Sequence, residues 1–165
     1  MNTCHNHQHC INDALKNAQA ICMAAKVKLT PLREQVLTLI WQNHKPLRAY
    51  DLIDLMAAAS ERRIAPPTVY RALEFLLGIG IIHRINSLNA YIGCPSPATK
   101  HPSYFLICTQ CQTASECNQP SLSQHIEQLG IDKGFSIQQQ WLEVLGICSE
   151  CRSTEPTSSK TSPSK

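Results

Sequence analysis

The chain lacks any stretch able to cross a membrane. Its longest apolar run, around Leu73 to Ile82, is short and carries Glu74, whereas a spanning helix needs about 20 apolar residues in succession. No export signal is legible either. The first ten residues, MNTCHNHQHC, are polar and no apolar segment follows them, so the cytoplasm is the expected compartment. Internal repeats are absent. Charged residues are sparse, at 16% beside 43% hydrophobic ones, a composition suited to a soluble globular protein of one ordinary domain or two small ones. No nucleophile stands in evident pairing with a base, and an enzyme is not expected. A thiol-disulfide or hydrolytic enzyme built on the cysteines and histidines is the alternative from that class.

What the chain has in quantity is ligand chemistry. It holds nine cysteines and seven histidines in 165 residues. An odd cysteine count, two C-x-x-C pairs and no export signal favour metal ligation over a disulfide framework. The net charge of +3 conceals an asymmetry: residues 1–93 carry ten Lys/Arg against six Asp/Glu, while residues 94–151 carry two against five. A basic front half beside an acidic back half suits a front half that meets a polyanion.

The periodicities divide the chain. Residues 1–10 form a leader with Cys4, His5, His7, His9 and Cys10, readable as a disordered terminus or as an accessory metal-binding arm. Helical spacing of Leu15, Ala18, Ile21, Cys22 and Ala25 predicts a helix from Ile11 to about Lys26, with Cys22 a core thiol. A second helix opens on Thr30 as N-cap with Pro31 behind it and ends near Asn43. His44 reads as a surface residue beyond it. A third helix runs from about Ala49 to Ala59. The fourth, PPTVYRALEFLL, starts on Pro66 and Pro67 and stops at Gly78 or Gly80. It buries Val69, Leu73 and Leu76 and leaves Thr68, Tyr70 and Arg71 outside. The runs IIHRIN and AYIG around Ser87-Leu88-Asn89 read as a hairpin. Helices followed by a hairpin are the order of a winged helix-turn-helix, in which the N-terminal side chains of the second helix of the motif reach base edges. Arg71 suits guanine, and Thr68 and Tyr70 suit phosphate or a thymine methyl. A winged-helix DNA-binding domain over residues 11–92 follows, then a proline-rich hinge over 93–102. Residues 103–152 read as a small α/β unit with three strands and one helix, and 153–165 as a disordered tail.

Cys108-x-x-Cys111 and Cys148-x-x-Cys151 are the strongest signal. A two-residue gap lets both thiolates turn onto one ion, and two pairs complete a tetrahedron with no open position, so this is a structural zinc site. A redox role would want the pair at the start of a helix, and here each follows a strand-like run. A second set, His83, Cys94, His101 and Glu116, comes from four successive pieces of the chain. Each has a plain alternative as a packed, spare or solvated residue. Together they make a formally neutral zinc site, and the thiolate favours zinc over harder ions.

With these motifs the chain resembles the ferric uptake regulator family, most closely its zinc uptake regulator branch, over about residues 12–151. The segments that carry the resemblance are KLTPLREQVL, AYDLIDLM, PPTVYRALEFLL, IIHRINSLNAYIGC and the two cysteine pairs. The resemblance implies an α+β protein, with an N-terminal winged helix-turn-helix domain and a C-terminal dimerisation domain carrying a three-stranded antiparallel sheet. It implies a homodimer that binds double-stranded operator DNA, contacts no membrane and represses zinc-uptake genes when zinc is present. Two zinc ions per chain are implied: a structural one on Cys108, Cys111, Cys148 and Cys151, and a regulatory one on His83, Cys94, His101 and Glu116. Tyr50 and Arg71 match the positions from which such regulators touch DNA. The iron-sensing branch carries a histidine-rich run before its first C-x-x-C, and KHPSYFLIC offers only His101, which sets iron or peroxide sensing second. The linker from Cys94 to His101 is about one residue shorter than the family pattern, so His101 is the ligand it constrains least. A zinc-binding thiol protein that does not bind DNA is the alternative outside the family.

Overall fold

The computed structural model describes residues 7–42, 45–59, 64–97 and 101–154. Cys4, His5 and His44 and the tail beyond Thr154 lie outside them. Among the described residues no helix is long and apolar enough to cross a membrane.

Helices α1 (His7–Ala24), α2 (Pro31–Gln42), α3 (Ala49–Ala58) and α4 (Pro66–Gly78) make the first half. The first starts four residues before Ile11, so His9 and Cys10 of the leader are helical. Pro31 opens α2 behind Thr30, whose hydroxyl oxygen lies 3.5 Å from the Arg33 N–H, the long limit of a capping bond. At the end of α4 it is Gly80, at φ +74, that turns the chain. The buried faces of these helices meet in one core, with Val36, Leu37, Ile40, Leu52, Met56 and Leu73 at its centre.

Against this core lies a sheet of order β1-β3-β2, built from β1 (Leu47–Arg48), β2 (Ile82–Ile85) and β3 (Ala90–Gly93). The hairpin is as expected, although its connection is the four residues Asn86 to Asn89. Asn89 takes the left-handed conformation at φ +48, and the Arg84 guanidinium donates to its side-chain oxygen at 2.9 Å. Strand β1 is too short for any periodicity to announce it. Gly93 is required by packing: a Cβ there would stand 2.3 Å from the Trp41 indole.

The second half contains β4 (Tyr104–Cys108), β5 (Ala114–Cys117), α5 (Pro120–Asp132), β6 (Leu142–Gly146) and the short α6 (Ser149–Thr154). The α+β class, the winged helix and the three-strand count agree with expectation; the wholly antiparallel sheet does not. Its order is β5-β4-β6, with β4 antiparallel to β5 but parallel to β6. The cause is where α5 returns the chain. Strand β5 ends beside Tyr104 at Cys117, and β6 starts beside Tyr104 at Leu142, so β6 leaves from the end where β5 stopped. A small apolar cluster of Ile85, Phe105, Ile107 and Ala114 joins the hairpin to this sheet.

Candidate metal centres and nucleic-acid face

Two groups of ligand-type side chains converge among the described residues, and they are the two sets the sequence singles out. In the first, Cys108 closes β4 and Cys111 sits in the tight turn that leads to β5, where Gln112 is held at φ +59. Pairing of Cys108 with Gly146 across β4 and β6 brings Cys148 and Cys151 to the same end. The four sulfurs lie within 4.8 Å of one another, and Cys111 Sγ is 3.8 Å from Cys148 Sγ. That is the edge of a tetrahedron of sulfurs about 2.3 Å from a central zinc, about 3.8 Å. Backbone N–H groups point at the sulfurs: Cys148 N lies 3.4 Å from Cys108 Sγ, and Cys151 N 3.4 Å from Cys148 Sγ. Such donors stabilise thiolates. The backbone N–H of Cys111, helped by that of Cys148, lowers the Cys108 thiol to about 6. The Thr113 hydroxyl and N–H lower Cys111. A side-chain hydrogen bond with Cys148, then burial, pushes Cys151 up to about 12. A dication is what lets all four ionise together.

The second set assembles at the junction of the two halves. His83 projects from β2, and Cys94 follows β3, where its N–H donates to Ile81 at 3.0 Å. His101 follows the proline-rich linker and Glu116 projects from β5. One Glu116 oxygen lies 3.3 Å from His83 Nε2 and 2.8 Å from His101 Nε2. Cys94 Sγ lies 3.7 Å from His101 Nε2. Tetrahedral edges for nitrogen and oxygen donors are about 3.3 Å, so the set needs little adjustment to hold an ion. His101, the ligand the sequence constrains least, is drawn in fully. The other Glu116 oxygen, Oε2, is buried without a hydrogen-bond partner, which is costly unless a cation is there to be met. Burial works against the Glu116 charge, but His83 and then His101 outweigh it and hold its carboxyl below the ordinary value. Burial, with a smaller push from Glu116, raises the Cys94 thiol to about 11.

Ser103 escaped the sequence reading. Its hydroxyl oxygen lies 3.0 Å from His83 Nδ1 and 3.4 Å from Nε2, against the ring edge that carries both nitrogens, where it can help hold the imidazole in place. No composition or spacing marks a serine for that role. Of the leader, Cys10 is disulfide-bonded, whereas the other described cysteines are not, so no disulfide framework forms among them. Cys22 is the buried core thiol expected of it, with its pKa raised mainly by burial.

The four residues expected to face DNA are all exposed. Thr68, Tyr70 and Arg71 are exposed in the first turns of α4. Tyr50, in the first turn of α3, is 71% exposed and lies near Tyr70. Exposed side chains near the N-terminal end of the second helix of a helix-turn-helix are placed where such motifs read the major groove.

Comparison with known proteins agrees with this geometry. The model of the ferric uptake regulator family matches residues 24–145. The Zinc uptake regulation protein of Escherichia coli (strain K12) is 35% identical over 144 residues, covering 87% of this chain and 84% of the relative. A zinc uptake regulator solved in complex with zinc and DNA superposes with a TM-score of 0.82 at 35% identity, over 87% of this chain and 95% of that one. The regulator XcZur superposes at 0.78 in its holo structure and 0.53 in its apo structure, with 38% and 36% identity. Each comparison covers 87% of this chain and 99% of the other.

Proposed function

Because the chain belongs to the ferric uptake regulator family, we propose that it is a zinc-responsive DNA-binding transcriptional repressor of zinc-uptake genes, acting as a cytoplasmic homodimer rather than as an enzyme. One observation carries the reading. His83 from the wing and Glu116 from the second sheet meet at 3.3 Å, with Cys94 and His101 from the connecting segment beside them. When bound there, zinc supplies a single divalent centre that all four donors satisfy at once. His83 then fixes the hairpin, and with it α4, to the platform that carries Glu116. A dimer reads DNA only if its two recognition helices stand about 34 Å apart, and a loose hinge leaves that spacing unset. Ligation that favours one arrangement shifts the population towards it, and a coupling of about 1–3 kcal/mol changes DNA affinity about 5–150-fold.

Cys108, Cys111, Cys148 and Cys151 have a different task. Their closed thiolate set ties the turn after β4 to the end of β6 and stabilises the platform itself. Two zinc ions per chain follow. Tyr50, Thr68, Tyr70 and Arg71 make the DNA contacts.

The test is a DNA-binding titration in buffered zinc, iron and manganese, using promoter DNA of zinc-uptake genes and measuring metal content per chain. Two zincs per chain are expected, with one readily chelated and DNA binding lost with it. A single zinc, with DNA binding indifferent to chelation, would refute the proposal. DNA binding restored by iron alone would assign the chain to iron sensing instead.

A further inference from the structure

Among the described residues the hairpin meets the second sheet at the metal-ligand cluster and at another polar contact. The latter lies at the far end of β2 and contains no metal-ligand cysteine or histidine. Phe105 in β4 is the register partner of Glu116 on one side and of Glu143 on the other. Directly paired residues project from the same face of a sheet, so Glu116, Phe105 and Glu143 form one row across three strands. Strand β2 meets this row along its length. His83 stands at the Glu116 end, with its ring 5.6 Å from that of Phe105. Ile85, two residues on and on the same face, packs against Phe105. At the other end the Glu143 carboxylate accepts from the Asn86 N–H at 2.6 Å and from the Ser87 N–H at 2.8 Å. One oxygen serves each donor, so the carboxylate grips the turn as a fork. Burial opposes its charge, but the Ser87 and Asn86 donors hold the Glu143 carboxyl below the ordinary value.

From this row we infer that Glu143 is a positioning residue for the zinc response: it latches the wing turn to the platform and so delivers His83 to Glu116, His101 and Cys94. The inference rests on the zinc-responsive reading. The contact links residues 57 positions apart and spans the two halves of the molecule. It is made in a chain whose superposition favours the holo XcZur structure, at 0.78, over the apo structure, at 0.53. Affinity at a site that forms only in one arrangement is reduced by the fraction of molecules not in it. A tie that raises that fraction therefore raises affinity without touching the ligand.

The test compares the full-length dimer with its E143A and E143Q variants in competition titrations of zinc against a chromophoric chelator. Amide hydrogen exchange of Asn86 and Ser87 is followed in parallel. The second, weaker zinc should bind E143A at least about fivefold less tightly than wild type, with faster exchange at both amides. E143Q keeps one carbonyl oxygen and no charge, so it should fall between the two. The tight zinc and the dimer mass should be unchanged in both variants. An E143A titration within twofold of wild type would overturn the inference. Loss of the tight zinc or of the dimer would overturn it too, because Glu143 would then serve the platform itself. A wild-type chain that takes up no second zinc would instead sink the functional reading, and the amide exchange would still show whether the latch exists.

Discussion

At the scale of single residues, the junction site is chemically uneven, and the unevenness sets its response to pH. Cys94 is a protonated thiol near neutrality, raised to about 11 by burial, and only its thiolate ligates. Ligation must release that proton. Above about pH 7.5, where ordinary imidazole is already neutral, affinity for the weaker zinc should rise about tenfold per pH unit. Competition titrations at pH 7.5 and 8.5 check this, and equal affinities would show that Cys94 is not a ligand. Glu143 is shifted in the opposite direction but responds to pH in the same sense. Its folded pKa lies below its ordinary 4.5, so the latch is fully present above that value and is lost as pH falls through the depressed one. Slow exchange of the Ser87 amide should therefore persist below pH 4.5 in a chain that remains folded.

At the scale of elements, how legible the fold was in the sequence depended on whether the signal was local. Pro31, Pro66 and Pro67 fix helix starts through their own ring geometry, and the spacing of Val69, Leu73 and Leu76 fixes the buried face of α4. The direction of β6 has no such local mark. Alternation places a strand there, but the return path of α5 decides which way it runs, and that path depends on packing. The two metal sets were legible because ligand chemistry constrains residue type as well as position. Glu143 was not, since a carboxylate gripping backbone N–H groups leaves no requirement on the residues it grips. Two predictions belong here. Replacing Gly93 with Ala sets a methyl 2.3 Å from the Trp41 indole and should cost about 1–3 kcal/mol, as overpacking does; urea unfolding measures it. Arg71→Ala should weaken operator binding about 5–150-fold, the loss expected for one base-reading arginine, with both zincs retained in metal analysis.

At the scale of the whole molecule, the two halves have distinct duties joined at one face of one sheet. The face carrying Glu116, Phe105 and Glu143 receives the wing. On the opposite face Leu106 and Val144, register partners, are 52% and 48% exposed, apolar surface suited to a second copy of the chain. Leu106→Glu should shift the dimer towards monomer in sedimentation and weaken operator binding with it, leaving zinc content unchanged. On the proposed reading the thiolate site stabilises this platform whether or not the wing is docked, whereas the junction site joins wing to platform. That division is the central claim, and Cys94→Ser tests it most directly. Operator binding by wild type and variant is to be measured by fluorescence anisotropy across buffered free zinc, with zinc per chain counted. The variant should keep one zinc and show weak DNA binding that zinc does not improve, while wild type gains affinity as its second zinc binds. A variant whose DNA binding rises with zinc as wild type does would contradict the claim.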